Sequence, residues 1–358
     1  MKPDYICKNP WNYLNIEGNG NCNFCCSIFL KDKHFFGNIL EQDIESLWNG
    51  EKAEAFRKDI VEGKYTHCDT DFCKWVYKRF EDTFRIPDTD NITTVPYPTV
   101  VQFSYDCTCA QRCIFCRDEH LGLSKEQQAE WDSIIDSRLI PLLQNAKLLI
   151  LNGSGEIFDS EHTRALLHKI IKKYENLKFE LYTNGVNLTP ENIQKYELEN
   201  KIKIVHISVN AATRETYKKV FRADNFDRVM KNLQYIANLK KEGKIQTIHI
   251  NFIINSYNYR DMKKIVQIAE QLDVIVSFAA TIPVEKASFT KNVEDFAVFN
   301  PKHYLYNDFV KRLKDPIFNS KYCNLDFNTD LKPVSQWQII KNCARRMKTR
   351  LSEALKQS

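Results

Sequence analysis

From residue 99 onward the chain alternates between two periods. Short apolar runs rich in β-branched and aromatic residues stand at 99–104, 147–151, 178–183, 203–209, 247–254 and 274–279, and each reads as a buried strand. Between them lie helical periods. The clearest spans 261–272, where Met262, Ile265, Val266, Ile268, Ala269 and Leu272 share one face. Nearly continuous apolar strands separated by helices predict a parallel sheet covered by helices. Six such units predict an α/β fold, a partial (β/α)6 TIM-like barrel, with functional residues at the C-terminal strand ends.

The flanks differ. Residues 1–75 are rich in Cys and irregular, with one predicted helix from Asp43 to Glu62 carrying Ile44, Leu47, Trp48, Ala55, Phe56 and Ile60 and ended by Gly63. Residues 76–97 read as a connector, and Pro87 and Pro96, with Pro98 just beyond, break its regularity. The barrel is assigned to 98–282 and a helical extension to 283–358. No fixed-period repeat or low-complexity tract is visible.

Composition narrows the class. The apolar share of 43% supports a sizeable core, and 27% charged residues with no apolar run of spanning length exclude a membrane helix. No signal-peptide pattern follows Met1. The net charge of +5 is mild, and the basic run Arg345-Arg346-Met347-Lys348 reads as a solvated helix face rather than a nucleic-acid footprint. Twelve Cys without a secretory signal point to a reducing, cytoplasmic setting with metals or clusters rather than disulfides.

Their grouping carries the chemistry. Cys109, Cys113 and Cys116 follow the first strand with three and then two residues between them. Three thiolates in one loop suit three irons of a [4Fe–4S] cube and leave the fourth for another ligand. A Cys113-x2-Cys116 pair alone would also suit half a zinc site. Cys107, two residues earlier, is read as a non-ligand.

The C-x3-C-x2-C loop with Phe115 before its last Cys resembles the radical S-adenosylmethionine (SAM) superfamily. The resemblance implies that SAM chelates the open iron and is cleaved reductively to a 5′-deoxyadenosyl radical, which takes a hydrogen atom from a substrate C–H. It implies further SAM contacts at successive strand ends: Gly153-Ser154-Gly155-Glu156 for the methionine amino group, Ser208 and Asn210 for the ribose, and Arg222 for the carboxylate. It also implies an electron donor such as flavodoxin or ferredoxin.

Residues 7–75 resemble a SPASM auxiliary-cluster module, on Cys7, Pro10-Trp11, Gly20, Cys25-Cys26, Gly37-Asn38-Ile39, Ser46-Leu47-Trp48-Asn49, Arg57, Gly63 and Cys68-x4-Cys73. Here it precedes the barrel, whereas in the family it usually follows. The pattern implies Cys7, Cys25, Cys68 and Cys73 as ligands of one auxiliary [4Fe–4S] cluster. A zinc site from Cys22-x2-Cys25 with Cys68-x4-Cys73 is the alternative, and Cys22 and Cys26 stay ambiguous.

An auxiliary cluster would accept a second electron and give oxidation. A thiol such as Cys323 or Cys343 would instead return a hydrogen atom and give epimerisation, although both Cys also read as structural. Relatives with such modules act on ribosomal peptides, sugars or aminocyclitols, so a peptide or carbohydrate substrate is expected. A non-catalytic Fe–S or zinc electron carrier is the other class.

Overall fold

The computed structural model describes residues 6–31, 34–70, 73, 94–116, 119–151, 155–280, 296–327 and 329–344. Gly153, Ser154, most of the connector and the basic run after Ala344 lie outside them. Two compact units are present. The first comprises Met1–Cys109, Leu121–Tyr182 and Lys195–Lys203; the second comprises Ala110–His120, Thr183–Gln194 and Ile204–Ser358.

In the first unit the predicted strands form as β4 (Val100–Ser104), β5 (Leu148–Leu151) and β6 (Lys178–Thr183), paired in parallel. Their inward residues Val101, Leu149, Phe179 and Leu181 are fully buried. The Cys-rich segment is less irregular than its composition suggests. It contributes β1 (Tyr13–Glu17), β2 (Asn21–Asn23) and β3 (Gly37–Asn38). β1 runs parallel to β4, from Tyr13 beside Val100 to Glu17 beside Ser104, and β2 and β3 add antiparallel.

The helix predicted over 43–62 is two helices, Ile44–Trp48 and Glu51–Val61. Gly50 causes the break: a β-carbon there would stand 2.0 Å from the Ser46 carbonyl oxygen. Asp43 caps the first helix through Ser46 N. The break shifts the phase of the second, so Ala53, Phe56, Arg57 and Ile60 turn inward and Ala55 faces solvent. Asn49 and Trp48 then hold the incoming connector. Asn49 accepts from Val95 N at 2.9 Å, and Trp48 Nε1 donates to Pro96 O at 3.1 Å.

In the second unit β7 (Ile202–Ser208), β8 (Thr247–Ile254) and β9 (Ile275–Ala280) run parallel. The helices Phe226–Lys241 and Met262–Leu272 pack on β8 and β9, above Ile248, Ile250, Phe252, Val276 and Phe278. The last helix closes at Asp273 in the left-handed conformation. The C-terminal extension supplies a helix, Tyr306–Arg312, and also a strand, β10 (Cys323–Asp326), parallel to β9. Six parallel strands, three in each unit, alternating with helices along the chain give the α/β, partial (β/α)6 TIM-like class. No described helix is long and apolar enough to cross a membrane.

Candidate functional site: the cluster loops and the strand-end residues

The chain leaves β4 through Tyr105-Asp106-Cys107-Thr108 into the three-Cys loop. Asp106 fixes this exit from two sides. Its Oδ1 accepts from Thr108 N at 2.9 Å and its Oδ2 from the Thr163 hydroxyl at 2.7 Å, which ties the loop to the first turn of the helix Glu161–Lys173. Tyr105 is buried, stacks on Trp131 with centroids 3.9 Å apart and meets His162 Nε2 at 2.7 Å. Cys109 pairs with Leu121 through its backbone N–H.

The loop after β5 closes on the same exit. Glu156 N donates to Thr108 O at 2.7 Å, and Glu156 is buried. A β-carbon on Gly155 would lie 2.5 Å from Thr108 O and 2.7 Å from Asp106 O, so only Gly admits this approach. Phe103, Asp106, Gly155, Glu156 and Thr163 line a small cavity there. The expected glycine loop and the entry to the cluster loop are therefore in direct contact in the first unit.

In the second unit the rest of the loop is held by the helix Arg214–Phe221. Ile114 N donates to Val220 O at 3.0 Å, Gln111 Nε2 reaches Tyr217 OH at 3.4 Å, and Cys116 N closes a turn on Cys113 O at 3.0 Å. Ile114 and Phe115 are buried, while Cys113 and Cys116 stay half-buried. Arg222 ends this helix in the left-handed conformation, two residues beyond the Ile114 contact, and is exposed. Sequence reasoning missed Asp106, Gln111 and Tyr217 as supports. Their signal, a polar residue beside the motif, is common at any strand end.

The strand-end pair on β7 divides. Ser208 is half-buried beside Asn251. Asn210 is buried at φ 50°; its Oδ1 accepts from Ile253 N at 2.6 Å and its carbonyl from Asn258 Nδ2 at 2.9 Å. This side-chain oxygen therefore holds the backbone of β8. Cys323 lies half-buried on β10, with its thiol pushed up to about 11 by burial. Cys343 is half-buried in the C-terminal helical turn beside Asn342.

The N-terminal thiols interact with one another. Burial raises the Cys25 thiol far above its ordinary range, and Cys7, Cys68, Cys73 and Cys26 add to the rise. Burial, with Cys73 adding, pushes Cys7 up to about 11, against a backbone N–H from Asn9 that favours its thiolate. Burial, then Cys7 and Cys73, pushes Cys68 up to about 12. Cys7, Cys25 and Cys68 so raised would resist ionising together without a cation, and a bound cation would reverse this, since a coordinating thiol is held deprotonated. Cys73 adds to the rise of all three, so the four thiols share one neighbourhood, although among the described residues no three of His, Cys, Asp and Glu stand together as a formed metal site. Cys22 stands apart, fully buried, with its Sγ 3.5 Å from Gly20 O. Cys26 acts on Tyr13 and Tyr182 as well as on Cys25.

Arg57 anchors this region from inside. It is fully buried, donates to Pro10 O at 2.9 Å and Trp48 O at 2.8 Å, and lies over the Trp48 ring at 4.8 Å. Burial lowers its guanidinium to about 10. Pro10 follows Cys7 by three residues, so Arg57 sets the course of the first thiol's segment.

Family models match on both halves of this description. Residues 107–269 match the radical SAM superfamily and residues 7–83 match SPASM, an iron–sulfur cluster-binding domain. The chain is a radical SAM protein with an N-terminal SPASM domain.

A [4Fe–4S] cluster bound with SAM and an auxiliary Fe–S cluster follow from those domains, and the zinc alternative for the N-terminal thiols gives way to a cluster. A probable GTP 3′,8-cyclase of Saccharolobus islandicus (strain Y.N.15.51 / Yellowstone #2) is 25% identical over 174 residues, covering 46% of this chain and 51% of the relative. One from Saccharolobus solfataricus (strain P2) is 25% identical over the same span and shares. The radical SAM chain thus spans about half the length of these curated relatives. Among solved structures, Streptococcus suis SuiB bound to S-adenosylmethionine matches 92% of this chain and 72% of its own at 14% identity and TM-score 0.44. The structure described as anSMEcpe with bound AdoMet matches 63% and 62% at 20% identity and TM-score 0.43.

Proposed function

We propose that this radical SAM protein abstracts a hydrogen atom from an unactivated C–H of a peptide or carbohydrate, for net oxidation or epimerisation. The observation that carries the reading is the lock between Glu156 N and Thr108 O, because it brings the backbone of the residue expected to receive the SAM ammonium beside the entry to a three-thiol loop. Bound there, the cluster and SAM supply one-electron cleavage of SAM and removal of a substrate hydrogen atom.

The chain's own residues hold and orient. Cys109, Cys113 and Cys116 would ligate three irons. Glu156 would accept from the SAM ammonium, with Gly155 giving the backbone its close approach. Phe115 would pack beside the cluster, Arg222 would pair with the carboxylate through its planar fork, and Ser208 would meet the ribose. Cys7, Cys25, Cys68 and Cys73 would hold the auxiliary cluster, which favours oxidation by taking the second electron. For epimerisation, Cys323 or Cys343 would be the thiol that returns a hydrogen atom. An external one-electron donor such as flavodoxin or ferredoxin is required.

The test is anaerobic reduction of the iron-loaded protein with SAM, followed by 5′-deoxyadenosine analysis. A panel of peptides and sugars deuterated at candidate carbons would then be scored for deuterium in that product. Deuterium transfer from one class names the substrate class. Solvent deuterium appearing in the product would favour epimerisation, and its absence with a two-electron mass loss would favour oxidation. A fully iron-loaded protein that releases no deoxyadenosine would point to an electron carrier instead.

A further inference from the structure

The last described helix, 336–344, is fixed along one side. At its start Ser335 Oγ accepts from Gln338 N at 3.2 Å. Just before it, Val334 and Asn307 exchange two hydrogen bonds, at 2.8 and 2.9 Å. Within it, Asn342 is buried and donates to Pro301 O at 3.1 Å. Elsewhere on the helix Trp337 is 70% exposed and Ile340 is 60% exposed, one turn apart and so neighbours on its surface. They are the two most exposed large apolar side chains among the described residues. Lys341 stands with them, its Nζ 5.8 Å from the Trp337 ring centroid.

Single apolar residues are ordinary on a surface. A Trp beside an Ile with a cation at the ring is instead the composition of a contact site, where a buried aromatic supplies most of the energy. Charge narrows the partner. Between Asp330 and Glu353 the sequence holds six Lys or Arg and no carboxylate, so an anionic surface is attracted and a basic one repelled. Size narrows it further. A stable dimer buries about 800 Å² on each partner, more than two apolar side chains and a lysine supply. A helix lying in a membrane surface needs a longer apolar face than one turn. Transient electron-transfer encounters use the smallest interfaces. Their carriers are anionic where they react, since iron held by four thiolates, or a flavin with its phosphate, bears net negative charge.

We propose that Trp337, Ile340 and Lys341 form the docking face for the anionic one-electron carrier that reduces this protein. That the partner is an electron donor rests on the radical SAM reading above; the docking face itself rests on exposure and charge.

The test uses the iron-loaded full chain under anaerobic conditions with two probes, a flavodoxin and a ferredoxin. Dithionite serves as a reductant that needs no docking. Deoxyadenosine formation from SAM is followed against carrier concentration. Trp337→Ala and Ile340→Ala together should raise the carrier concentration giving half-maximal rate about tenfold, while the dithionite-driven rate stays at wild type. Lys341→Glu should raise it as well and flatten its dependence on salt. Titration calorimetry of the oxidised carriers onto the same proteins, without SAM, should give the same order of affinities. That measurement judges the docking face even where dithionite and SAM yield no deoxyadenosine, the result that would instead overturn the radical reaction. Equal loss of the carrier-driven and dithionite-driven rates would make the helix a structural support and overturn the proposal. Carrier binding unchanged by the substitutions, or a wild-type protein that binds neither carrier, would overturn it too. Binding to phosphatidylserine vesicles or duplex DNA in place of the carriers, lost in the same variants, would overturn it in favour of a membrane or a nucleic acid.

Discussion

Gly155 lies against Thr108 so closely that a β-carbon would stand 2.5 Å from the Thr108 carbonyl oxygen, while the next residue, Glu156, donates its N–H to that same oxygen. The obstacle is backbone, so a side chain at 155 cannot be absorbed by a rotamer change. Gly155→Ala should push the Glu156 loop off the cluster-loop entry. A misplacement of roughly 1 Å at a reacting centre costs about a hundredfold, and deoxyadenosine formation from SAM should fall by that order while iron content holds. A variant that matches wild type would show that the two loops need not touch.

Asp106 joins the same entry to the helix Glu161–Lys173 through Thr108 N and the Thr163 hydroxyl. Asp106→Ala leaves both donors without an acceptor, a loss of about 1–3 kcal/mol. Asp106→Asn keeps one carbonyl oxygen and should recover roughly half of it. Thermal unfolding of both variants checks this, and an Ala variant as stable as wild type would reassign Asp106 to the surface.

The N-terminal thiols give a sharper test of ligand choice. Cys7, Cys68 and Cys73 all raise the Cys25 thiol, whereas Cys22 is fully buried against Gly20. Cys25→Ala should lower iron by about four per chain, and Cys22→Ala should leave iron unchanged at a cost in stability. The reverse result would make Cys22 the ligand.

How much of this was legible beforehand depended on how local each signal was. All six barrel strands lie within a residue or two of the runs that predicted them, because continuous apolar stretches bounded by polar turns have few other solutions. The spacing of Cys109, Cys113 and Cys116 was equally local. The pairing of β1 with β4 was not, since Tyr13 and Val100 are 87 positions apart and nothing in either segment names its partner. Gly50 is a single residue at the break between two helices, and that only Gly fits there, because a β-carbon would meet the Ser46 carbonyl oxygen, shows only in three dimensions. The bond from Ile253 N to Asn210 Oδ1 was equally hidden, since it depends on where that N–H falls.

Arg57 tests the SPASM domain from within. Its guanidinium donates to Pro10 O and Trp48 O and stacks on Trp48. Arg57→Met keeps the volume but strands both acceptors, so unfolding free energy should fall by on the order of 3 kcal/mol. Arg57→Lys cannot span both carbonyls with a fork and should lie between. Denaturant titration orders the three proteins, and a Met variant at wild-type stability would reduce Arg57 to packing.

The raised thiols predict a pH dependence whose sign depends on metal. In metal-free protein Cys7 is pushed up to about 11 and Cys68 up to about 12, from an ordinary value of 9.0. Above pH 9 the unfolded chain gives up these protons while the folded one keeps them. Stability is therefore fully present below pH 9 and is lost as the pH rises toward 11 and 12. With iron bound the same sulfurs are already deprotonated, and that loss should vanish. Unfolding midpoints at pH 8 and pH 10 for metal-free and iron-loaded protein check this: a drop in the first and none in the second is expected. A metal-free protein equally stable at both pH values would mean that its four thiols are not packed as described.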